Sequence, residues 1–216
     1  KGFAFGANIA YLWGTLNRNT SNTYSDSYVN TLSKSYTAQV KSYKLDLGAQ
    51  YTYSVDKKNE LTLGLAYTLG HKLGADPECN LISTNSQTSI SDTTHYTVSN
   101  AFELPQTIGV GLMWNNNNRL KFGVDYQLQK WASIKYPQLS TVNGTTSYSL
   151  VDGQFNDRHK VTLGGEYCRG ERYRGFFSRM HYRAGFSYAS PYLKINGQDG
   201  PRELSASLGV GIPILN

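Results

Sequence analysis

The chain has 216 residues, a formal net charge of +6, and many tyrosines (17) and glycines (21). Its mean hydropathy is -0.47, and no run approaches the roughly 18 consecutive apolar residues that a membrane-spanning helix needs. These values exclude a helical membrane protein but not a membrane β-barrel, whose apolar residues stand at alternate positions. The basic residues are spread along the chain without a Lys/Arg block, so binding to nucleic acid is not expected.

Alternating segments along the chain predict β-strands, because an extended strand places every second side chain on one face. Each segment pairs a nearly continuous apolar face with a face of small, polar or charged residues, which is typical of a strand between lipid and a polar lumen. About eight strands are predicted: 2–16, 36–55, 60–70, a strand that reaches 114, 119–131, two within 156–191, and 204–212.

The connections between these strands alternate in length. Short turns are predicted near Lys57, Asn116 and Glu171, and long polar loops at 17–35, 74–95, 133–155 and 190–202. Outer-membrane barrels have short periplasmic turns and long extracellular loops. The pattern therefore predicts an all-β fold, a transmembrane antiparallel β-barrel, in one domain over 1–216, located in the bacterial outer membrane and in contact with its lipid. A soluble all-β domain is the alternative.

The hairpin within 156–191 carries the densest set of inward charges. Alternation directs six of its polar side chains towards the lumen: Arg158, Lys160, Glu166, Arg179, His181 and Arg183. The basic groups could hold the carboxylate of an amphipathic ligand through charge-assisted hydrogen bonds. They could instead pair with acidic residues on neighbouring strands and so hold the wall together. The residues by themselves favour the second interpretation.

Two stretches carry a more specific pattern. In the first, a proline opens a glycine-rich strand, a short turn follows, and the next strand carries Asp-Tyr and ends in tryptophan: Pro105, Gly109, Gly111, Asp125, Tyr126 and Trp131. The second combines Asp-Arg, Gly-Glu-Tyr, Arg-x-Gly and a tyrosine before proline: Asp157, Arg158, Gly165, Glu166, Tyr167, Arg183, Gly185, Tyr188 and Pro191. In order and spacing these stretches resemble the FadL-type long-chain fatty-acid transporters.

The resemblance implies a larger barrel of about fourteen strands with an N-terminal plug, of which this chain would be a fragment. It also implies passive outer-membrane transport of hydrophobic or amphipathic compounds such as long-chain fatty acids, without a cofactor. Under that reading the inward basic residues would meet the head group of a fatty-acid-like ligand. Two alternatives stay open: a structural or secretion-associated outer-membrane barrel without transport, and a small eight-stranded barrel that is complete as it stands.

Enzymatic and metal-binding functions are not expected. His71, His95 and His159 are scattered and lack the spacing of a metal site. No serine or cysteine is evidently placed to act as a nucleophile with His181, so the chain is predicted not to be an enzyme.

Four further residues carry expectations of their own. Cys79 and Cys168 fall at opposite ends of the predicted barrel, so no disulfide is expected between them. Trp131 is predicted to be an anchor at the membrane interface. Tyr192, in a polar loop, could either contact a hydrophobic ligand or pack among the loops. The oligomeric state is not predicted.

Overall fold

The computed structural model describes residues 2–26, 28–143, 145–170 and 175–212. Among these residues no helix has the length and apolar character to span a membrane. A short 3₁₀ turn occupies Phe176–Arg179. The strands are β1 (Phe3–Asn22), β2 (Thr31–Ser54), β3 (Asn59–Thr68), β4 (His71–Lys72), β5 (Glu78–Thr84), β6 (Ser91–Thr97), β7 (Glu103–Leu104), β8 (Gln106–Asn116), β9 (Leu120–Lys130), β10 (Tyr136–Val142), β11 (Thr145–Val151), β12 (Arg158–Tyr167), β13 (His181–Ala189), β14 (Lys194–Ile195), β15 (Gln198–Asp199) and β16 (Glu203–Gly211).

Eight of these strands form a continuous antiparallel wall in the order β1-β2-β3-β8-β9-β12-β13-β16. They correspond, in chain order, to the eight strands predicted from the sequence. Strands β3, β8, β9, β12, β13 and β16 have between 9 and 11 residues. That is about the length with which a tilted strand crosses a bilayer.

The wall has one apolar and one polar face. On the outer face large apolar side chains are exposed, including Leu208 (90%), Ile9 (75%) and Phe5 (66%). On the inner face small residues pair across strands, as Gly6 does with Gly48. A soluble protein rarely leaves so large an apolar face in water. The outer face is therefore the lipid-facing side of a membrane barrel, and the soluble alternative is wrong.

The wall is an open arc. Within the described residues β1 pairs with β2 and β16 pairs with β13, and no ladder joins β1 to β16. The alternative of eight strands closed into a small barrel is therefore wrong. Backbone groups left unpaired in lipid are costly, in keeping with the prediction that the arc is part of a larger barrel wall. The number of strands in the whole barrel stays a prediction.

The predicted long loops contain additional strands. The stretch 17–35 is mostly strand, because β1 and β2 remain paired up to Asn22 and Leu32. The stretch 74–95 holds most of the β5–β6 hairpin, 133–155 holds β10–β11, and 190–202 holds β14–β15. The prediction of irregular loops is wrong at these places.

Hydroxyl side chains explain why these strands form without an apolar pattern. Cross-strand hydrogen bonds link Ser21 to Ser33 (2.9 Å), Thr84 to Ser91 (2.8 Å), and Thr141 to Thr146 (2.9 Å). Such pairs stabilise an antiparallel sheet, and threonine is a strand-favouring residue. Polar residues are frequent on these hairpins, so hydrophobic alternation is too weak to reveal them.

The short turns lie together at the opposite end of the wall. At the β8–β9 turn Asn117 and Asn118 have positive φ angles of 51° and 56°, which asparagine tolerates. The predicted turn residue Glu171 lies outside the described residues. Cys79, in β5, and Cys168, after β12, are both free and buried, and they lie at opposite ends of the wall as predicted. The short-turn end is the periplasmic end by the usual pattern of outer-membrane barrels.

Gly70 is expected to be essential for packing where β3 ends beside β8. A Cβ at Gly70 would lie 2.6 Å from the backbone nitrogen of Gln106, so Gly70→Ala requires the backbone to move and should cost about 1–3 kcal/mol of stability. The control is Gly164→Ala in β12, where nothing lies within 4 Å of the added Cβ. The melting temperature of each variant is measured from the heat-dependent change in electrophoretic mobility of the folded barrel. Equal melting temperatures for the two variants would contradict this account.

Candidate functional site

Two strands of the wall continue well beyond the others at the long-loop end. β1 and β2 are paired from Phe3–Tyr51 to Asn22–Leu32, whereas the β2–β3 ladder ends at the pair Asp46–Thr68. Further along, β2 pairs with β5, and β5 pairs with β6. We call residues 14–22, 31–37, 78–84 and 91–97 the extracellular sheet, because they lie beyond the membrane-crossing part of the wall.

A cleft of about 650 Å³ separates the inner face of this sheet from the β10–β11 hairpin. We call it the extracellular cleft. Its apolar and aromatic lining includes Leu16, Tyr36, Phe102, Tyr136, Leu139 and Tyr148, and its charged lining residues are Arg18 and Lys34. The rings of Tyr36 and Tyr148 lie with their centroids 6.3 Å apart. This size and mixture of groups suit a small apolar or amphipathic compound.

The phenol groups of Tyr36 and Tyr148 in the cleft are uncharged at neutral pH. Burial raises the pKa of Tyr148 to about 12. Burial also raises the pKa of Tyr36, and the neighbouring Cys79 contributes to the same effect. Burial in turn raises the pKa of the Cys79 thiol. The cleft therefore presents neutral hydroxyl groups beside the two cations.

A spectrophotometric titration tests the burial of Tyr148. Its pKa rises from the ordinary value of 10.0 to about 12 on folding, so its stabilising contribution is complete below pH 10 and is lost as the pH rises towards 12. In Tyr148→Phe the rise in tyrosinate absorbance near pH 12 is expected to be smaller by one tyrosine. Removal of absorbance near pH 10 instead would show that this hydroxyl is accessible to water.

An aromatic cluster lies beside the cleft and shares Tyr136 with it. The ring of Trp131 lies 5.7 Å from that of Phe155 and 5.1 Å from that of Tyr192, and Tyr136 lies 6.0 Å from Phe155. Phe155 is buried. Trp131 therefore packs among the loops, and its prediction as an interface anchor is wrong. For Tyr192 the loop-packing alternative is confirmed.

The lumen residues predicted from the sequence do not form one cluster. Arg158 is the first residue of β12, whereas Glu166 is close to its last. At roughly 3.3 Å per residue of strand, these two positions are about 26 Å apart. One head group cannot contact both, so the predicted residues divide into an extracellular and a periplasmic group.

The extracellular group consists of Arg158 and Lys160. A guanidinium nitrogen of Arg158 donates to Glu203 at 2.5 Å, and the guanidinium carbon lies 5.7 Å from the ring centroid of Tyr192. Lys160 lines a central cavity of about 670 Å³ together with Asp125. Within the described residues neither Lys160 nor Asp125 has an ion-pair partner. Lys160 is therefore the predicted residue best placed to meet an anionic group in the lumen.

Glu166 is the centre of the periplasmic group. It accepts hydrogen bonds from Arg183 Nε at 2.6 Å and Lys121 Nζ at 3.2 Å, and His181 Nδ1 lies 3.2 Å away. We call these four residues the periplasmic ion cluster. They connect β9, β12 and β13, because Glu166 is the register partner of both Lys121 and Arg183. The interpretation as ion pairs between strands is confirmed here, and a role in ligand binding stays a prediction. Sequence reasoning omitted Lys121 because its register with Glu166 depends on which strands pair.

Arg179 does not lie on a strand. It is the last residue of the 3₁₀ turn, and β13 begins at His181. The prediction that Arg179 projects from a strand into the lumen is wrong. The chain leaves the alternating pattern here because Met180 is buried and the carbonyl of Arg179 accepts a hydrogen bond from the Cys168 thiol at 3.7 Å.

Solved structures with a similar fold are channels and transporters of small hydrocarbons. The monoaromatic hydrocarbon channel CymD has a TM-score of 0.62 and 16% identity, over 100% of this chain and 61% of that one. The toluene transporter TbuX of Ralstonia pickettii has a TM-score of 0.57 and 19% identity, over 87% and 51%. A deltaS2S3 mutant of the monoaromatic hydrocarbon channel TodX has a TM-score of 0.58 and 16% identity, over 87% and 51%. The chain spans half to three fifths of the length of these proteins.

The chain thus has the fold of a FadL-type outer-membrane β-barrel, as the sequence resemblance implied. The model of the BamG family matches residues 1–216, and the chain belongs to that family. Family and fold together place it in the bacterial outer membrane, as predicted. None of the three solved structures is described as an enzyme, in agreement with the prediction for this chain. No curated protein sequence matches the chain closely.

Proposed function

We propose that the chain forms the wall and the extracellular entrance of a passive outer-membrane channel for hydrophobic or amphipathic compounds. The extracellular cleft carries this proposal, because it places about 650 Å³ of space with aromatic, apolar and cationic lining residues at the mouth of the lumen. The likeness in fold to proteins described as hydrocarbon channels supports it. The class of compound follows from the lining: aromatic rings accept an apolar body, and Arg18 and Lys34 accept a carboxylate.

The lumen offers a route without strong binding. Below the cleft, the central cavity is lined mainly by small residues such as Gly48, Gly64 and Gly111, with Lys160 and Asp125 as its charged groups. Sparse contacts let a compound enter and leave again, as passive passage requires. Among the described residues no set of three or more His, Cys, Asp or Glu side chains could bind a metal ion.

A sideways exit into the membrane is also available in this geometry. The ladder on one side of β2 runs from Thr31 to Thr37 with β5, and from Asp46 to Ser54 with β3. Between those ladders the segment 69–77, which includes β4, contacts β2 through few hydrogen bonds: the Leu69 nitrogen donates to the Leu45 carbonyl at 3.0 Å, and Ser42 Oγ lies 3.1 Å from His71 Nε2. A wall joined by few hydrogen bonds opens at lower cost than a continuous ladder.

The alternative of a structural or secretion-associated barrel also has support. The spanning part of the lumen presents few large apolar side chains, since more than half of its lining residues are glycine, threonine or charged. The periplasmic ion cluster also ties three strands together there. A barrel with this interior could serve as a rigid body in an assembly without passing any compound.

Uptake into proteoliposomes separates the two functions. The full protein is reconstituted, and influx of toluene, a monoaromatic hydrocarbon, and of oleate, a long-chain fatty acid, is compared with protein-free liposomes. We expect influx of at least one of them, inhibited by an excess of the same compound. Absence of influx for both, from protein shown to be folded, would overturn the channel and favour the structural alternative.

A further inference from the structure

One face of the β1–β2 hairpin runs without a break from the lipid-facing wall into the extracellular sheet. The two strands pair residue by residue from end to end, so every second side chain keeps the same face. The odd-numbered residues Phe5 and Ile9 are exposed on the lipid-facing side. The even-numbered Tyr36 faces Tyr148 across the extracellular cleft. The odd-numbered residues therefore point away from the cleft along the whole hairpin.

The chemistry of this face changes at the end of the apolar part. Tyr11 and Trp13 are exposed there and stack with their ring centroids 5.8 Å apart, as is typical of the membrane–water interface. Lys41 is the register partner of Trp13 and is exposed. Within the described residues it has no ion-pair partner. A free cation thus stands beside the aromatic residues that mark the membrane surface.

Beyond Lys41 the face is polar and almost uncharged. We call it the polar outer face: the odd-numbered residues of β1 and β2 in the extracellular sheet, with their register partners on β5 and β6. One of its rows runs Asn19–Ser35–Asn80–His95 across the four strands. Within the described residues Glu78 is its one acidic member and Ile82 its one apolar member. The remaining members are hydroxyl, amide and imidazole side chains.

Hydrogen bonds within the face orient these groups without using them up. Ser35 Oγ donates to the Asn19 side-chain oxygen at 2.8 Å, and the side-chain oxygen of Asn80 bonds with His95 Nδ1. Both amide groups keep their two N–H donors free within the described residues. Sugar hydroxyls both donate and accept hydrogen bonds. A flat sheet face with fixed donors and acceptors therefore suits an oligosaccharide.

We propose that this continuous face binds lipopolysaccharide, the phosphorylated glycolipid of the outer leaflet. Its acyl chains lie over the apolar part that includes Ile9. Lys41 holds a phosphate, since a cation close to the membrane surface favours anionic lipid. The sugars lie against the polar outer face. The order of groups along the hairpin thus matches their order in the glycolipid, and the face continues the surface that already contacts lipid. This inference does not depend on transport.

Binding of purified lipopolysaccharide to the full protein, measured by mass spectrometry that preserves complexes, tests the proposal. Lipid A is the first comparison, because it keeps the acyl chains and phosphates but lacks the outer sugars. The oligosaccharide released by mild acid is the second. We expect lipopolysaccharide to bind most tightly of the three. Equal binding of lipopolysaccharide and lipid A would overturn the sugar contact, and equal binding of the released oligosaccharide would overturn the role of the acyl chains and phosphate.

A pair of matched double substitutions tests the polar outer face. Asn19→Ala with Thr93→Ala should weaken lipopolysaccharide binding about tenfold, which corresponds to about 1.4 kcal/mol, and leave lipid A binding unchanged. Asn22→Ala with Thr94→Ala removes the same two groups from β1 and β6 on the opposite face, and both glycolipids should bind as before. Equal effects of the two double substitutions, in protein shown to be folded, would contradict the proposal.

Lys41→Gln tests the phosphate contact. It should weaken binding of lipopolysaccharide and lipid A alike, about tenfold. Lys58→Gln is the control, because Lys58 is exposed in the turn between β2 and β3 at the other end of the wall. Unchanged binding of both glycolipids to Lys41→Gln would refute the contact. If the face binds a protein instead, the Asn19 and Thr93 double substitution would release a copurifying chain with lipopolysaccharide binding unchanged, which overturns the proposal.

Discussion

Glu166→Gln is expected to lower the free energy of unfolding by about 2 kcal/mol. The side chain of Glu166 is only 17% exposed, and the substitution leaves Arg183, Lys121 and His181 facing one another without a counter-charge. Removing one partner from a largely buried ionic network costs several kcal/mol. The partial exposure of Arg183 and Lys121 to the lumen reduces that figure. Denaturant unfolding of the protein in lipid vesicles measures the change.

Glu203→Gln is the control for this prediction. Glu203 pairs with Arg158 through a single hydrogen bond, but its side chain is 62% exposed, so the loss should be less than about 1 kcal/mol. If the two substitutions cost the same, the periplasmic ion cluster does not hold the strands together.

Tyr148→Ala is expected to weaken binding of a transported compound at the extracellular cleft about tenfold. The substitution removes one of the two rings that face each other there, with the loss of about 1.4 kcal/mol of contact. Displacement of a fluorescent fatty acid by toluene or oleate measures the affinity. The effect should be larger than any change in barrel stability, since Tyr148 lies on a hairpin outside the main wall.

Tyr24→Ala is the matched control, because Tyr24 lies near the tip of the β1–β2 hairpin and is 53% exposed. It should bind both compounds as the unchanged protein does. If toluene and oleate bind equally well to Tyr148→Ala, the compound enters elsewhere, and the extracellular cleft is not the entrance.

The wall could be predicted from the sequence because each of its strands carries its own apolar alternation, whatever the partner strand. A strand in lipid must place an apolar residue at every second position, as Leu204, Leu208 and Val210 do in β16. The period of two therefore reports both the strand and the direction of its side chains. The eight strands of the wall and their lipid-facing residues followed from that rule.

The extracellular sheet and the cleft could not be predicted in the same way. Their strands face water on one side and the cleft on the other, and residues such as Thr84 and Ser91 pair by hydroxyl hydrogen bonds, so the apolar period is weak. The cleft also joins Tyr36 to Tyr148, which are far apart in the sequence. Such a contact depends on how the hairpins fold over the barrel mouth. The sequence also identified Glu166 and Arg183 as inward-facing, but their pairing with Lys121 depends on the strand register.

The height of the extracellular sheet makes the chain's orientation directly measurable on living cells. From Gly14, where the extracellular sheet begins, to the end of β1 at Asn22, about 3.3 Å per residue makes the hairpin extend roughly 26 Å. Both native cysteines are buried, so Tyr24→Cys would supply the accessible thiol. A charged maleimide dye that does not cross membranes should then label intact cells, whereas a cysteine at Lys57 should react only after the outer membrane is opened.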